Sequence, residues 1–189
     1  QGGPFCWLAG DVRPKKILGL LAIEPNGPPF YNVAYGGHKQ SHLKNSKTDK
    51  KRSGDKEWYI TASEPDRPGG ITYLPLTFEP PLKENESLKA ELDSSPTKED
   101  FVQCYLQKEP ARKLINLQNL PILILSAEAS YHAPYDHGTS NFLKQAGVEH
   151  DFIRLEDNKI HGNGHMMMLE KNNHQIADFL LEWMRSKIK

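Results

Sequence analysis

The sequence predicts an α/β fold, because apolar runs of strand length alternate with amphipathic stretches of helical period. Two runs carry most of that prediction, Ile17 to Ile23 and Pro121 to Ala127. Each is continuously apolar and bounded by charge or proline, the pattern of a parallel strand covered by helices on both faces. A third candidate strand is Asp151 to Leu155. Helical patterns separate and follow them. Pro4 to Val12 reads as a short helix, opened by Pro4 and stopped before Pro14. Tyr135 to Ala146 sets Phe142, Leu143 and Ala146 on one face and closes at Gly147, a residue suited to the left-handed turn that ends helices. Asn173 to Ile188 spaces Ile176, Phe179, Leu180, Trp183 and Met184 by three and four, as an amphipathic last helix would. The alternation of helix, strand, helix, strand, helix, strand and helix is that of a layered α/β sheet with right-handed crossovers, and three strands of a larger sheet are expected.

The stretch between the first two strands has a different character. Residues 38–56 hold seven Lys or Arg against two Asp and almost nothing apolar, so a solvated, disordered insertion is expected there. Residues 64–81 carry five prolines with Tyr73, Leu74, Leu76 and Phe78, which suits an extended segment lying over a surface or a site. Residues 84–110 are charged, and part of them is expected to be helical. Residues 30–110 therefore read as a lid-like excursion between two sheet strands. No internal repeat is visible.

Composition narrows the functional classes. The 24 basic and 24 acidic residues cancel, so no nucleic acid partner is expected from overall charge; the basic 38–56 run is the one place where a polyanion could bind. No run of about 18 apolar residues occurs, so no membrane span is expected. Only 37% of residues are hydrophobic, and the mean hydropathy of -0.66 is low for a compact domain. The two cysteines, Cys6 and Cys104, form no metal-type spacing and are expected to be free thiols. The chain opens at Gln1 rather than Met, so a start codon and any leader are expected outside these residues.

Chemistry is concentrated at three places. The stretch Lys159 to Glu170 puts His161 and His165 on a glycine-rich turn after the third strand, at the strand end where α/β proteins hold ligands. A general base needs such a placement, while the intervening glycines argue against a helical pair of metal ligands. No metal or other cofactor is expected. Glu24 is the first polar residue after the first strand, where a carboxylate is costly to desolvate unless it is paired. Ala127 to Asp136 ends the second strand with Glu128, His132 and Asp136, any of which could line the same cleft or cap a helix.

Taken together, Gln1 to Phe5, Ala22 to Phe30, Ser126 to Asp136 and His161 to Glu170 resemble the C-terminal part of an α/β-hydrolase. The resemblance is to the esterase subgroup whose nucleophile elbow reads Gly-His-Ser-Gln-Gly-Gly and whose acid follows the next strand. It implies a partial α/β-hydrolase domain over residues 1–189 and a small-molecule carboxylic ester as substrate. It also implies a triad in the order Ser, Glu, His, with His165 as the base and Glu24 as the acid. In most α/β-hydrolases the acid follows the later strand, a position occupied here by Ser130; Glu128 and Asp136 are the alternative acids. The backbone N–H of Gln1 would serve the oxyanion hole, and Pro28, Phe30 and Tyr131 are candidate pocket walls. The serine itself would lie one residue before Gln1, so these 189 residues alone are expected to be inactive and to fold poorly. The alternative is a non-catalytic remnant that binds a small ligand or a protein.

Overall fold

A computed structural model of the chain describes residues 2–25, 76–83, 86, 88–94, 101 and 104–188. The α/β class expected from the sequence is the class observed. Helix α1 runs Gly2–Val12, followed by a 3-10 turn at Pro14–Lys16 and strand β1 at Leu20–Ile23. Strands β2 (Ala90–Leu92) and β3 (Tyr105–Gln107) form an antiparallel pair. Then come β4 (Ile122–Ser126), α2 (Asp136–Gln145), β5 (Asp151–Arg154) and α3 (Asn173–Lys187). Short 3-10 turns at Leu155–Asn158 and Met167–Leu169 interrupt the connection from β5 to α3. The expected basic insertion, Tyr73 and Leu74 lie outside the described residues.

The main sheet has the order β1-β4-β5 and is parallel throughout. Leu20 pairs with Ile122 and Ile23 with Leu125, while Leu123 pairs with Asp151 and Ser126 with Arg154. Central β4 is buried at all five positions, because both its edges are paired and both its faces are covered. Side chains alternate across a strand. Thus Leu20, Ala22, Ile122 and Ile124 join one core with Trp7 of α1 and with Phe142 and Leu143 of α2. Leu123 and Leu125 face the other way, onto Ile176 and Trp183 of α3. Trp183 also donates its indole N–H to Asp151 at 2.7 Å, and Lys187 pairs with the same carboxylate at 2.9 Å, which pins α3 to the start of β5.

Several expectations are adjusted. β1 begins at Leu20 rather than Ile17, since Leu18 stands in solvent and Ile17 still belongs to the exit from the 3-10 turn. The described part of residues 84–110 forms the β2–β3 pair where helix was expected; Gln107 locks it by exchanging hydrogen bonds with Gln145 of α2 and with the backbone of Arg112. Leu76 and Phe78 belong to the core beside Trp7, so this end of the proline-rich stretch is packed. On α3 the buried stripe is narrower than its pattern, with Met184 partly in solvent. No disulfide joins Cys6 and Cys104.

The close approach of α1 to the sheet falls at Gly10. A Cβ there would sit 2.9 Å from Leu117 and 2.9 Å from Leu20, whereas Gly2 at the helix start has open space around it. Gly10→Val should therefore overpack this contact and cost about 1–3 kcal/mol. The expected readout is a lower urea midpoint with unchanged slope; an unchanged midpoint would mean that the leucines make room.

Candidate acid–base site

Three chain segments converge at the carboxyl ends of the parallel strands. Glu24 leaves β1, residues 127–135 form the turn out of β4, and residues 159–169 lead out of β5. Glu24 itself adopts φ +45, a left-handed conformation that non-glycine residues seldom take. Its N–H still reaches Leu125 O at 2.8 Å, completing the β1–β4 ladder, so the chain turns sharply only after the last sheet bond.

The Glu24 carboxylate is buried and accepts three hydrogen bonds. Oε1 takes the backbone N–H of Ala127 at 2.9 Å; Oε2 takes the hydroxyl of Ser130 at 2.7 Å and Nδ1 of His165 at 2.7 Å. Burying a carboxylate is tolerable when its lone pairs are used in this way. A carboxylate can only accept, so the proton of this last bond sits on Nδ1, and in the neutral ring Nε2 of His165 is an acceptor. The His165 side chain is 36% exposed, so one edge of the ring meets the acid and another remains reachable. Among the described residues, no hydroxyl or thiol hydrogen-bonds to Nε2 of His165.

The loop bearing His165 is built from amides. Asn163 and Asn172 exchange side-chain hydrogen bonds of 2.7 and 2.9 Å, and Asn163 also reaches Glu170. Glu170 accepts Gly164 N–H at 2.9 Å, while Asn163 O accepts Ala129 N–H at 2.9 Å. Gly162 takes φ +78, which glycine adopts without strain. The loop is thus clamped to α3 on one side and to the β4 turn on the other.

The remaining candidates are distributed around this pair. Glu128 is exposed and accepts Gly162 N–H at 2.9 Å and His161 Nδ1 at 3.2 Å; the Gly162 N–H and, more weakly, His161 hold its carboxyl below the usual range. His161 therefore faces Glu128 and solvent. Asp136 sits fully buried in the first turn of α2, bonded to His132 Nδ1 at 2.9 Å, and burial followed by the Glu24 charge pushes its carboxyl well up. Of the three carboxylates weighed from the sequence, only Glu24 meets the His165 imidazole. Ser130 is a donor to that acid, which its side chain alone could not announce. Tyr131 is exposed, its ring 4.8 Å from that of His165. Gln1, Pro28 and Phe30 lie outside the described residues. Among the described residues no group of three His, Cys, Asp or Glu side chains could hold a metal ion, and no helix is long and apolar enough to cross a membrane.

His132, expected with Glu128 and Asp136 as a residue that could line the cleft, packs against the ring of His165. It is buried, and the two rings stack with centroids 4.9 Å apart and planes within 6°. Burial pushes the His132 imidazole down from 6.5 to about 4. The folded protein therefore binds this proton less readily than the unfolded chain. The stability that the neutral ring contributes is complete above about pH 6.5 and is lost as pH falls toward 4. The size of the loss is about 2–3 kcal/mol. Urea midpoints at the two ends of this window should fall more steeply in the wild type than in His132→Asn; equal slopes would contradict it.

No protein-family model matches the chain. It is 29% identical to a chain in a structure titled "The Atomic Resolution Structure of a Novel Bacterial Esterase", with a TM-score of 0.33, over 38% of this chain and 25% of that one. Over 190 aligned residues it is 38% identical to a protein described as a probable secreted lipase, phiG, of Fungal sp. (strain ATCC 74256). That match covers 99% of this chain and 44% of the relative, so the chain spans less than half the length of the curated relative it matches.

Proposed function

We propose that the chain carries the acid and base of a serine carboxylic-ester hydrolase of the α/β-hydrolase type. The observation that supports it most directly is the 2.7 Å contact between buried Glu24 and His165 Nδ1 at the carboxyl ends of parallel strands. Likeness to a described lipase over nearly the whole chain supports it from a separate direction.

In this reading Nε2 of His165 takes the proton of a serine hydroxyl as its oxygen attacks the ester carbonyl. The same proton then goes to the departing alkoxide, leaving an acyl-enzyme. A water molecule repeats the sequence, giving its proton to Nε2 and its oxygen to the acyl carbon, and the serine is regenerated. Glu24 holds the Nδ1–H tautomer and offsets the imidazolium charge in both halves. In this reading the nucleophile would be a serine one residue before Gln1, and the Gln1 N–H would then face the tetrahedral oxyanion. Tyr131, with Pro28 and Phe30, would wall the ester pocket. Because the relative is described as a lipase, lipid esters are the substrates to try first.

Glu24→Gln in the complete protein preserves size but no longer holds the charge or the tautomer, so kcat for an aryl ester should drop by about 10³–10⁴-fold. An activity near wild type would remove Glu24 from the triad. A fluorophosphonate should label the serine preceding Gln1, and the 189 residues expressed alone should show no turnover. Phosphonate-sensitive hydrolysis by those residues alone would overturn this assignment of the nucleophile.

A further inference from the structure

We propose that His132, held by Asp136, is a positioning residue that fixes the plane of the His165 imidazole for proton transfer. The proposal rests on the ester-hydrolase reading for its kinetics, while its geometry stands apart from that reading. The two rings are nearly parallel, 6° between planes and 4.9 Å between centroids, so His132 presents a flat floor to His165. Among the described residues the imidazole of His165 has one hydrogen bond, to Glu24. A single bond leaves rotation about its own axis open, and rotation swings Nε2 away from any reacting oxygen. A wall against the ring face removes that freedom without touching either nitrogen.

His132 is itself immobilised from several sides. Its Nδ1 meets Asp136 Oδ1 at 2.9 Å, and its backbone N–H donates to Ser130 Oγ at 3.0 Å, the same hydroxyl that donates to Glu24. Its carbonyl caps the start of α2, accepting N–H groups of Tyr135 at 2.9 Å and Asp136 at 3.0 Å. Tyr131 and Tyr135 pack their rings on it at 4.5 and 4.9 Å. Acid, floor and helix start are consequently one hydrogen-bonded unit.

Charge fits the same role. During turnover His165 becomes a cation, and a second cation stacked on it would oppose that step. The groups facing His132 are Asp136, Glu24, His165, Tyr131 and Tyr135. Burial keeps the His132 imidazole neutral, near 4, and holds Asp136 well above the usual carboxylate range, so both members favour their uncharged forms. The floor is rigid and carries little charge, which a lysine or arginine at this place would not be.

The test uses the complete protein. His132→Asn keeps a donor toward Asp136 and removes the ring face; kcat for an aryl ester should fall about 10-fold or more. KM should stay within about 2-fold, since ground-state binding is untouched. The acidic limb of the pH profile of kcat/KM should move as well. The double variant H132F/D136N restores a flat ring without a buried lone carboxylate, and should recover kcat to within about 3-fold of wild type. Thermal melts show which variants are folded. A folded His132→Asn protein with wild-type kcat and profile overturns the proposal, as does a folded double variant that stays as slow as His132→Asn.

Histidine nitrogen NMR on the unmutated protein decides the matter if neither variant folds. His132 should stay neutral between about pH 5 and 8, and its titration in that range would overturn the proposal. If the wild type hydrolyses no ester, the ester-hydrolase reading has failed by itself. The Nδ1–H signal of His165 then carries the decision: its loss in His132→Asn supports positioning, and its persistence unchanged overturns it.

Discussion

The buried carboxylate of Glu24 is the contact on which the site depends. Among the described residues it ties together three segments at the carboxyl edge of the sheet: its own strand, the turn out of β4 through Ala127 and Ser130, and the loop after β5 through His165. A carboxylate enclosed in this way is stable only while its donors are present, so each segment holds the other two in place. The left-handed φ of Glu24 follows from the same constraint, because the residue must finish a sheet hydrogen bond and aim its side chain back across the strand ends. Strain of this kind costs on the order of 1–3 kcal/mol and persists where neighbouring contacts over-determine it.

Below this contact the fold acts as a rigid support. Central β4 is buried at every position and locks β1 and β5 in parallel register, so the three strand ends come out side by side. The two cores on opposite faces set the sheet between α1 and α2 on one side and α3 on the other. The loop that carries His165 would wander if only its strand held it. Here the amide pair of Asn163 and Asn172, with Glu170, ties the loop to the start of α3, and Asn163 O ties it to the β4 turn. The histidine is thereby placed by secondary structure on both sides.

The turn from β4 into α2 has a density of function that its length does not suggest. Within residues 127–136 it supplies two donors to Glu24, a ring parallel to that of His165, an exposed ring beside it and the carboxyl bonded to His132. Ser130 occupies the place where the resemblance would ordinarily look for an acid. With the carboxylate arriving from β1 instead, a hydroxyl at that position is the complementary group, since it donates where an acidic side chain would repel.

Much of this protein was legible in the sequence. The two continuous apolar runs marked β1 and β4, because a strand with covered faces is apolar along its length, while β5, charged at both ends, was only a third candidate; flanking prolines marked the first helix and helical spacing the other two. The glycine-rich turn and the lone carboxylate after a buried strand marked where chemistry would sit. The resemblance paired Glu24 with His165, but local pattern did not, and the contact itself is made only by the tertiary structure. Glu24 and His165 are separated by 141 positions, and Glu128 was as plausible a partner by local pattern as Glu24. The β2–β3 pair, the packing of Leu76 and Phe78 and the stack of His132 on His165 were equally hidden, for the same reason: hydrogen bonds and ring stacking between distant segments leave no periodicity in a chain. Local pattern records what a residue buries, and only the register of the sheet decides what it touches.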